Sequence, residues 1–326
     1  MDKKSLSVGK LRGMQQVSTA AKSIALLAVD HRNNLRSLIR PDAPGSVEDR
    51  ELVTLKQQVV SELGSCGSGV LLDPQYGAAQ CIASGAMPVN RGLVVALEAT
   101  GYTGEPTSRL SQRLEGWSVS KVRKMGADAV KLLVYYHPEA ATAPEIEALV
   151  AEVASECQNE DLTLFLEALS YSTNPYSRKL TSAERHEVVI ESVRRLSKLG
   201  ADVFEAEFPV DPMVVNDEAE MLKACEELTE ACAIPWILIS SSAKYYDYMR
   251  QVNAACRSGA SGMAVGRAIW QDIVPLDAVK RREYLQQVIR PRMERLTSLC
   301  NAIARPWTDF YMPEKLQVNW FQSYQA

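Results

Sequence analysis

The chain has 326 residues, of which 46% are hydrophobic and 23% are charged. This composition is typical of a globular protein and excludes a disordered or fibrous chain. The net charge of −4 gives no indication of a nucleic-acid partner. No apolar run approaches the ~18 residues that a membrane span needs. The sequence therefore predicts a soluble protein of one large domain or two modest ones, with no nucleic-acid or membrane partner.

The cysteines and histidines indicate neither a disulfide framework nor a metal site. The seven cysteines are scattered without a Cys-x-x-Cys pair, which is typical of small buried hydrophobes. The three histidines, His31, His137 and His186, form no His-x-x-His pair. We therefore expect a cytoplasmic protein without a metal ion or another cofactor.

Eight short apolar runs recur along the chain, with helical periodicity between them. The predicted strands are Ser23–Val29, Val70–Leu72, Leu93–Leu97, Ala129–Tyr135, Leu162–Leu166, Val203–Phe208, Trp236–Ser240 and Gly262–Val265. The predicted helices include Val47–Leu63, Glu145–Glu156, Ala183–Lys198, Glu218–Ala231 and Tyr246–Ser258. Short apolar runs that alternate with longer amphipathic segments predict βαβ units and a parallel sheet.

A weak internal repeat favours a closed barrel over an open sheet. The segments Lys124–Lys131, Lys198–Glu205 and Arg257–Ala264 match one another, each with a glycine in third place. Glycine commonly ends a helix, and here a strand follows at once. Eight such units predict an α/β fold, a single (β/α)8 TIM barrel over residues 1–305. The alternative, a doubly wound sheet, is disfavoured because the first strand runs into Asp30 without a Gly-x-Gly-x-x-Gly turn.

Polar residues stand at the carboxyl ends of the predicted strands. They are Asp30, Asp73, Gln75, Glu98, Lys131, Glu167, Glu205, Glu207, Ser240, Ser241, Ser242, Gly266 and Arg267. Asp and Ser commonly cap helices or begin turns, so each residue alone has a purely structural explanation. Because these ends meet at one rim of a barrel, the whole set predicts an active site there.

Lys131 is the most informative of these residues, because it lies between apolar neighbours and a buried charge needs a partner. A structural ion pair with Glu167 or Glu205 is one explanation. Lys131 and Glu205 each follow a repeat glycine by five residues, so both side chains should point the same way, and strand alternation adds Glu207 to that face. We expect one ammonium with two or three carboxylates in the barrel mouth, an arrangement that shifts pKa values and is often functional.

The ends of the seventh and eighth strands suit an oxyanion. Barrels often bind phosphate there through backbone N–H groups and a helix N-terminus. Ser240, Ser241 and Gly266 would supply such contacts, and Arg267 a bidentate one. A salt bridge on the rim is the structural alternative for Arg267. His31 and His137 flank strand ends, where we expect rim residues and not catalytic bases.

Seven motifs stand in order along the chain: Leu27–Arg32, Leu71–Gly77, Glu98–Tyr102, Ala129–Tyr136, Phe165–Glu167, Glu207–Pro209 and Gly266–Trp270. They resemble class I aldolases of the tagatose-1,6-bisphosphate aldolase type. Two further segments, Pro235–Ser241 and Gly259–Gly262, resemble the related sulfofructose-phosphate aldolases. The resemblance runs from about residue 10 to residue 305. It implies a TIM barrel, no metal, and cleavage of a phosphorylated ketose through a lysine Schiff base, with dihydroxyacetone phosphate as a product.

Three positions depart from the pattern of that family. The Schiff-base lysine of the family stands in a Lys-x-Glu-x-Pro setting on the sixth strand, which here reads Glu205 to Pro209. A carboxylate cannot form an imine. Ala99 replaces the lysine of a Glu-Lys-Thr-Gly segment, and Ser242 replaces the glycine of a Ser-x-Gly phosphate loop.

Three functions remain open at this stage. The first is aldol cleavage of a phosphorylated or sulfonated ketose, with the imine moved to Lys131 or Lys244. The second is an isomerase, an epimerase or a lyase that forms no Schiff base, with a glutamate as base and Lys131 as electrophile. The third is a non-catalytic paralogue that binds a sugar phosphate. The candidate catalytic residues are Lys131, Glu167, Glu205, Glu207 and Asp30, and the candidate substrate- or phosphate-binding residues are Arg32, Gln75, Ser240, Ser241, Lys244, Gly266 and Arg267.

Residues 306–326 form a C-terminal extension with an unusual density of aromatic residues. It holds six of the 22 aromatic residues of the chain (Trp 5, Tyr 12, Phe 5), and Trp and Phe have large burial energies. We expect this segment to dock on its own barrel or on a second subunit, and therefore a homo-oligomer is expected.

Overall fold

Eight parallel strands close into a barrel in the computed structural model, which describes residues 3–241, 243–322 and 324. The strands are β1 Lys4–Leu6, β2 Ile24–Ala28, β3 Gly69–Leu72, β4 Gly92–Ala96, β5 Thr103–Glu105, β6 Ser108–Leu110, β7 Ala129–Tyr136, β8 Thr163–Ser170, β9 Val203–Ala206, β10 Trp236–Ile239, β11 Gly262–Val265 and β12 Tyr311–Pro313. The barrel order is β2-β3-β4-β7-β8-β9-β10-β11, and β11 pairs with β2. The predicted TIM barrel is confirmed, and the open sheet is wrong.

Helices connect the barrel strands and cover the outside of the barrel. They are α1 Val8–Gln16, α2 Asn33–Ile39, α3 Asp49–Leu63, α4 Ala78–Ala83, α5 Val119–Lys124, α6 Ala143–Asn159, α7 Ser182–Leu196, α8 Glu218–Ala231, α9 Tyr245–Arg257, α10 Arg267–Trp270, α11 Ala278–Tyr284 and α12 Arg290–Ile303. A π-helical turn, Leu285–Ile289, joins α11 to α12. Short 3₁₀ turns lie at Pro44–Ser46, Gly64–Cys66, Gln271–Ile273, Trp307–Asp309 and Trp320–Gln322. None of the helices in the described part of the chain is long and apolar enough to cross a membrane.

Two barrel strands, β8 and β9, end at residues other than those predicted, and this changes where Glu167 and Glu207 lie. The strand β8 continues to Ser170, so Glu167 lies inside it and not at its end. The strand β9 stops at Ala206. Glu207 was predicted to continue the alternation of this strand, but it lies beyond the last paired residue, two positions before Pro209. Alternation predicts the direction of a side chain only within a strand.

The core has two parts, as a closed barrel requires. Apolar residues of the outer strand faces pack against the helices, with Val130, Leu132 and Val134 of β7 among them. Inward residues such as Leu26, Phe165 and Ile237 fill the barrel together with Met14 of α1. Because both faces of each strand are buried, the strands are continuous apolar runs, which is why the sequence signal was strong.

The start of the C-terminal extension docks on its own barrel. The strand β12 pairs in parallel with β1, and Trp307 is 2% exposed. The hydroxyl of Tyr311 donates to the carbonyl oxygen of Asp202 at 2.8 Å. Beyond this point Val318 and Phe321 are largely exposed. The docking thus buries the first aromatic residues of the extension, and farther along the hydroxyl of Tyr324 donates to the carboxylate of Asp161.

Candidate active site

The carboxyl ends of the barrel strands surround a cavity of about 160 Å³. Polar and charged groups from seven barrel strands, or from the loops that follow them, reach its wall. They are Asp30, His31, Arg32, Asn33, Asn34, Glu98, Thr100, Tyr135, Glu167, Glu205, Ser240, Ser241 and Arg267. This is the end at which a barrel of this type holds its active site.

Lys131 lies beneath this cavity and is held by three carboxylates. Its Nζ is 2.8 Å from Oε2 of Glu167, 2.9 Å from Oδ2 of Asp30 and 3.3 Å from Oε1 of Glu98. The lysine side chain is fully buried, and it is absent from the cavity lining, whereas Asp30, Glu98 and Glu167 are part of it. The predicted contact with Glu167 is therefore present, and Asp30 and Glu98 complete the cluster.

The cluster fixes the protonation state of Lys131 and Asp30. Burial alone would lower the pKa of Lys131, but Asp30, Glu167 and Glu98 together raise it well above its usual value. Burial would also raise the pKa of Asp30, yet the charges of Lys131 and His31 hold that pKa below its usual value. Lys131 is thus a permanent ammonium at neutral pH and Asp30 a carboxylate. An imine needs a neutral amine, so these contacts do not favour Lys131 as a nucleophile.

Glu205 stands on β9 at the place where the resemblance expects the Schiff-base lysine. It is 1% exposed, it lines the cavity, and its Oε1 has no hydrogen-bond partner among the described residues. Burial and then the negative charge of Glu167 raise the pKa of Glu205 well above its usual value, against the opposing effect of Lys131. The raised pKa favours the neutral carboxylic acid form of Glu205, which is a hydrogen-bond donor.

Glu167 is placed to act as a base. Burial raises its pKa above the usual value, and the attraction of Lys131 offsets only part of this effect. A carboxylate with a raised pKa accepts a proton more readily than Asp30, whose pKa is depressed. Two neighbouring glutamates with raised pKa values therefore face the same cavity, and the pKa of Glu205 is the more strongly raised.

Glu98 was recognised in the sequence as a residue at a strand end, but it was not assigned to the site. Its Oε2 accepts from the backbone N–H of Leu133 at 3.0 Å, and its Oε1 contacts Lys131. Arg32 donates to the Glu98 carbonyl at 2.8 Å and to Oε1 of Gln75 at 3.2 Å. Its position just after β4 was the signal in the sequence that could have assigned Glu98 to the site. Gln75 holds Arg32 and does not line the cavity, whereas Arg32 does.

His31 lies in the site and not on the exposed rim. Its ring packs edge-on against Trp270, with centroids 5.2 Å apart, and its Nδ1 is 3.6 Å from Oδ1 of Asp30. Burial lowers the pKa of His31 to about 3. The imidazole is therefore neutral at physiological pH. A Cβ on Gly266 would lie 2.8 Å from the His31 ring, so the close approach of β11 requires glycine here.

The proposed anion-binding residues also meet at this end. The hydroxyl of Ser240 accepts from the backbone N–H of Gly266 at 3.3 Å. Ser241 has a φ of +40°, a left-handed conformation that a non-glycine residue rarely adopts. Arg267 makes no ion pair within the described ranges, and its Nε lacks a partner there. Ser242 lies outside the described residues.

Three polar residues from the strand ends lie elsewhere. The Glu207 carboxylate accepts from Ser170 and from Arg185 of α7, so it does not join the Lys131 cluster. Lys244 is exposed at the start of α9 and does not line the cavity. Asp73 pairs with Lys56, and both side chains are fully buried. Asp73 also accepts from two backbone N–H groups of the following turn, which is the structural explanation considered for it.

The comparisons with known proteins place this TIM barrel, with its buried lysine–carboxylate cluster, among the aldolase-type lyases. The profile of the "DeoC/LacD family aldolase" matches residues 24–272. The chain is 32% identical over 307 residues to tagatose 1,6-diphosphate aldolase 1 of Streptococcus pyogenes serotype M3 (strain SSI-1), covering 88% of this chain and 94% of the relative. The protein therefore belongs to the DeoC/LacD aldolase family.

Solved structures agree on the fold. An archaeal fructose 1,6-bisphosphate aldolase matches with a TM-score of 0.60 at 20% identity, over 89% of this chain and 98% of the other. Fructose-bisphosphate aldolase of Plasmodium falciparum matches with a TM-score of 0.70 at 14% identity, over 93% and 98%. Aldolases of low sequence identity thus share this barrel.

Proposed function

We propose that the protein cleaves a phosphorylated or sulfonated ketose by aldol chemistry without forming an imine, and that dihydroxyacetone phosphate is one product. One observation carries the proposal: the carboxyl group of Glu205 faces the cavity at the imine position, while Lys131 below it is held by three carboxylates. Membership of the aldolase family supports the reaction type. Relatives named tagatose 1,6-diphosphate aldolases support the substrate class.

The reaction needs one base and one acid. A base removes the proton of the C4 hydroxyl, the C3–C4 bond breaks, and its electron pair moves to the C2 carbonyl oxygen as an enolate. The aldehyde half leaves, and protonation at C3 then gives the ketone product. In this scheme an acid that donates to the C2 oxygen takes the place of the imine nitrogen, because both stabilise the charge that develops in the transition state.

The residues in the cavity divide these tasks. Glu167, with its raised pKa, takes the proton from the hydroxyl, and the protonated carboxyl of Glu205 donates to the developing oxyanion. Lys131 does not reach the cavity. It acts as a positioning residue, whose positive charge holds three carboxylates together and lowers the energy of the negative charge above it.

The anionic group of the substrate binds at the ends of β10 and β11 in this proposal. Arg267 supplies the cation, and Ser240 and Ser241 supply hydroxyl groups beside the backbone of Gly266. Arg267 has no carboxylate partner among the described residues, so its positive charge is available to an oxyanion. Gln75 contributes indirectly, because it holds Arg32.

We also propose a cytoplasmic homo-oligomer. All seven cysteines are free thiols and six of them are buried, which suits a reducing compartment. Leu316, Val318 and Phe321 of the extension are between 51% and 99% exposed. A second copy of the chain would cover these apolar side chains.

Trapping with borohydride tests the mechanism. The protein is incubated with the 1,6-bisphosphates of tagatose and fructose and with a 6-sulfo ketose 1-phosphate, with and without a chelator. Released dihydroxyacetone phosphate is measured enzymatically. We expect turnover with at least one substrate, and no change in protein mass after reduction. A reduced adduct on any lysine, or no cleavage of any substrate, would overturn the proposal.

Matched glutamine variants test the roles. Glu167→Gln should lower kcat by about 10²-fold or more, because general base catalysis is typically worth this much. Glu205→Gln keeps a hydrogen-bond donor but loses the acidic proton, so a smaller loss is expected. Glu207→Gln is the control, since its carboxylate is bound by Ser170 and Arg185 outside the cavity. Equal losses in all three variants would contradict the assignment.

A further inference from the structure

Arg109 lies among three tyrosine rings beside the cavity. It belongs to β6, and its guanidinium carbon is 4.6 Å from the ring centroid of Tyr102, 4.7 Å from that of Tyr171 and 5.3 Å from that of Tyr135. Tyr135 is part of the cavity wall. The face of an aromatic ring attracts a cation, and three rings together hold this guanidinium in one place.

The hairpin that carries Arg109 is fastened to the barrel. The backbone N–H of Arg109 donates to the hydroxyl of Tyr171 at 3.2 Å, and the backbone N–H of Tyr135 donates to Ser111 at 2.8 Å. Tyr171 is 3% exposed. Arg109 is therefore positioned before any ligand arrives, which lowers the entropic cost of binding.

The charge of Arg109 has no anionic partner. Its Nε donates to the carbonyl of Pro106 at 3.1 Å, and no carboxylate of the described residues lies within ion-pair distance. Aromatic rings stabilise a cation without neutralising it, and the two terminal nitrogens keep their donors. A guanidinium in this state suits a phosphate or sulfonate, to which it donates two parallel hydrogen bonds.

The distribution of charge around the cavity indicates where the ligand carries its own charges. The carboxyl groups of Asp30, Glu98, Glu167 and Glu205 crowd the centre, where an anion would be repelled. The unpaired cations lie outside this centre. Arg267 follows β11 in the cavity wall, and the guanidinium of Arg109 lies over the ring of Tyr135, which is part of that wall. Such a cavity fits a chain of hydroxyls and a carbonyl with an anion at each end.

We propose that Arg109 is a specificity-determining residue that binds a tetrahedral oxyanion, phosphate or sulfonate, at the end of the substrate opposite to the one held by Arg267. The identity of the carbon chain between the two anions rests on the proposed function. The anion contact itself does not, because it depends only on the guanidinium of Arg109 and its position beside the cavity.

Calorimetry with ligands that cannot be cleaved tests this contact. The probes are a hexitol 1-phosphate, the corresponding 1,6-bisphosphate and the 1-phosphate 6-sulfonate, which lack the carbonyl needed for cleavage. We expect the wild-type protein to bind at least one doubly charged hexitol about 10- to 100-fold more tightly than the 1-phosphate, the range expected for a charge-assisted bond. The better of the two doubly charged probes identifies the anion.

Arg109→Gln should remove most of this preference and leave the affinity for the 1-phosphate within about twofold. Arg305→Gln is a matched control, because Arg305 also lies over a ring, that of Phe310, at the other end of the barrel. If Arg109→Gln does not fold, Arg109→Lys decides: it keeps the charge without the planar donor pair, and part of the preference should be lost.

An unchanged preference in the Arg109 variant, or no preference in the wild-type protein, would overturn the proposal. The outcome is separate from that of the proposed function. If the protein binds the bisphosphate through Arg109 but cleaves no ketose, the proposed function alone is refuted. If it cleaves ketoses but shows no binding preference for the second anion, the role of Arg109 alone is refuted.

Discussion

The ammonium of Lys131 lies 2.8 Å from Oε2 of Glu167, and the lysine is fully buried while the glutamate reaches the cavity. Lys131 thus supports the site from below, and Glu167 is the residue that can contact a substrate. The lysine keeps the carboxylates of Asp30, Glu98 and Glu167 close together in a space where they would otherwise repel one another.

Lys131→Met should lower the free energy of unfolding by about 3–5 kcal/mol at pH 7, because it leaves buried carboxylates without their cation. Urea unfolding at pH 7 and at pH 5 measures this loss. It should be smaller at pH 5, where the carboxylates take up protons more easily. Lys198→Met, at an exposed position, is the control and should stay within about 0.5 kcal/mol. Equal losses for Lys131→Met at both pH values would argue against an electrostatic cause.

The protonated state of Glu205 predicts a pH dependence of stability. The folded-state pKa of Glu205 is raised well above its usual value. The unfolded chain therefore releases this proton near the ordinary glutamate pKa of about 4.3, while the folded protein keeps it. Above that pH the folded state binds about one more proton than the unfolded state. The stability that this proton contributes is complete below about pH 4.3 and is lost as the pH rises towards the folded-state pKa.

Glu205→Gln removes this proton linkage. Relative to the variant, the wild-type protein should lose about 1.4 kcal/mol of unfolding free energy per pH unit from roughly pH 5 up to the folded-state pKa of Glu205. Denaturant melts of both proteins at three pH values give the slope. Parallel curves would mean that Glu205 is ionised in the folded protein, and they would remove the acid from the proposed mechanism.

The barrel and the centre of the site could be predicted from the sequence for physical reasons. Strands buried on both faces are uninterrupted apolar runs, and the glycine repeat indicated that Lys131 and Glu205 point the same way. In the barrel Glu205 is level with Glu167 and Leu133, two residues beyond the level of Lys131. The resemblance then showed that Glu205 stands where a lysine is expected. These signals are local in sequence, which is why one chain was enough to read them.

The residues that were missed depend on contacts between distant segments. Arg109 gave no signal in the sequence, because the short hairpin of β5 and β6 has no strong periodicity and is held by tyrosines of β7 and of the loop after β8. Glu207 was placed wrongly because the last pairing of β9 could not be seen in the sequence. The residue at which a strand ends is set by its pairing with the neighbouring strands, and the pattern of charged residues in one segment does not reveal that pairing.

Glu205→Lys tests whether the cavity still has the geometry that imine formation at position 205 requires. Glu205→Lys places an amine on β9 among Asp30, Glu98 and Glu167, at the position of the imine lysine in the resembling family. We expect a substrate ketose to give a borohydride-stable adduct on the new lysine, measured by mass spectrometry. Because the same carboxylates would raise its pKa, trapping should increase from pH 7 to pH 9. Glu207→Lys, which introduces an amine outside the cavity, is the control and should give no adduct, and an adduct there would show non-specific trapping.

The C-terminal extension allows a matched pair of truncations. Ending the chain after Ala304 removes Trp307 and Tyr311, which are buried against the barrel, and should lower the free energy of unfolding by several kcal/mol, since each buried aromatic residue contributes about 3–5 kcal/mol when removed. Tyr311→Phe alone should cost about 1 kcal/mol, the worth of its hydrogen bond to Asp202.

Ending the chain after Pro313 keeps β12 and removes the exposed apolar residues beyond it. The stability of the isolated subunit should change by less than about 1 kcal/mol, because few buried contacts are lost. The oligomeric state should change if a second copy covers Val318 and Phe321, and sedimentation velocity measures it. If the sedimentation coefficient falls only as far as the lost mass explains, the extension docks on its own barrel and does not join two subunits. The two truncations thus separate docking within a subunit from contact between subunits.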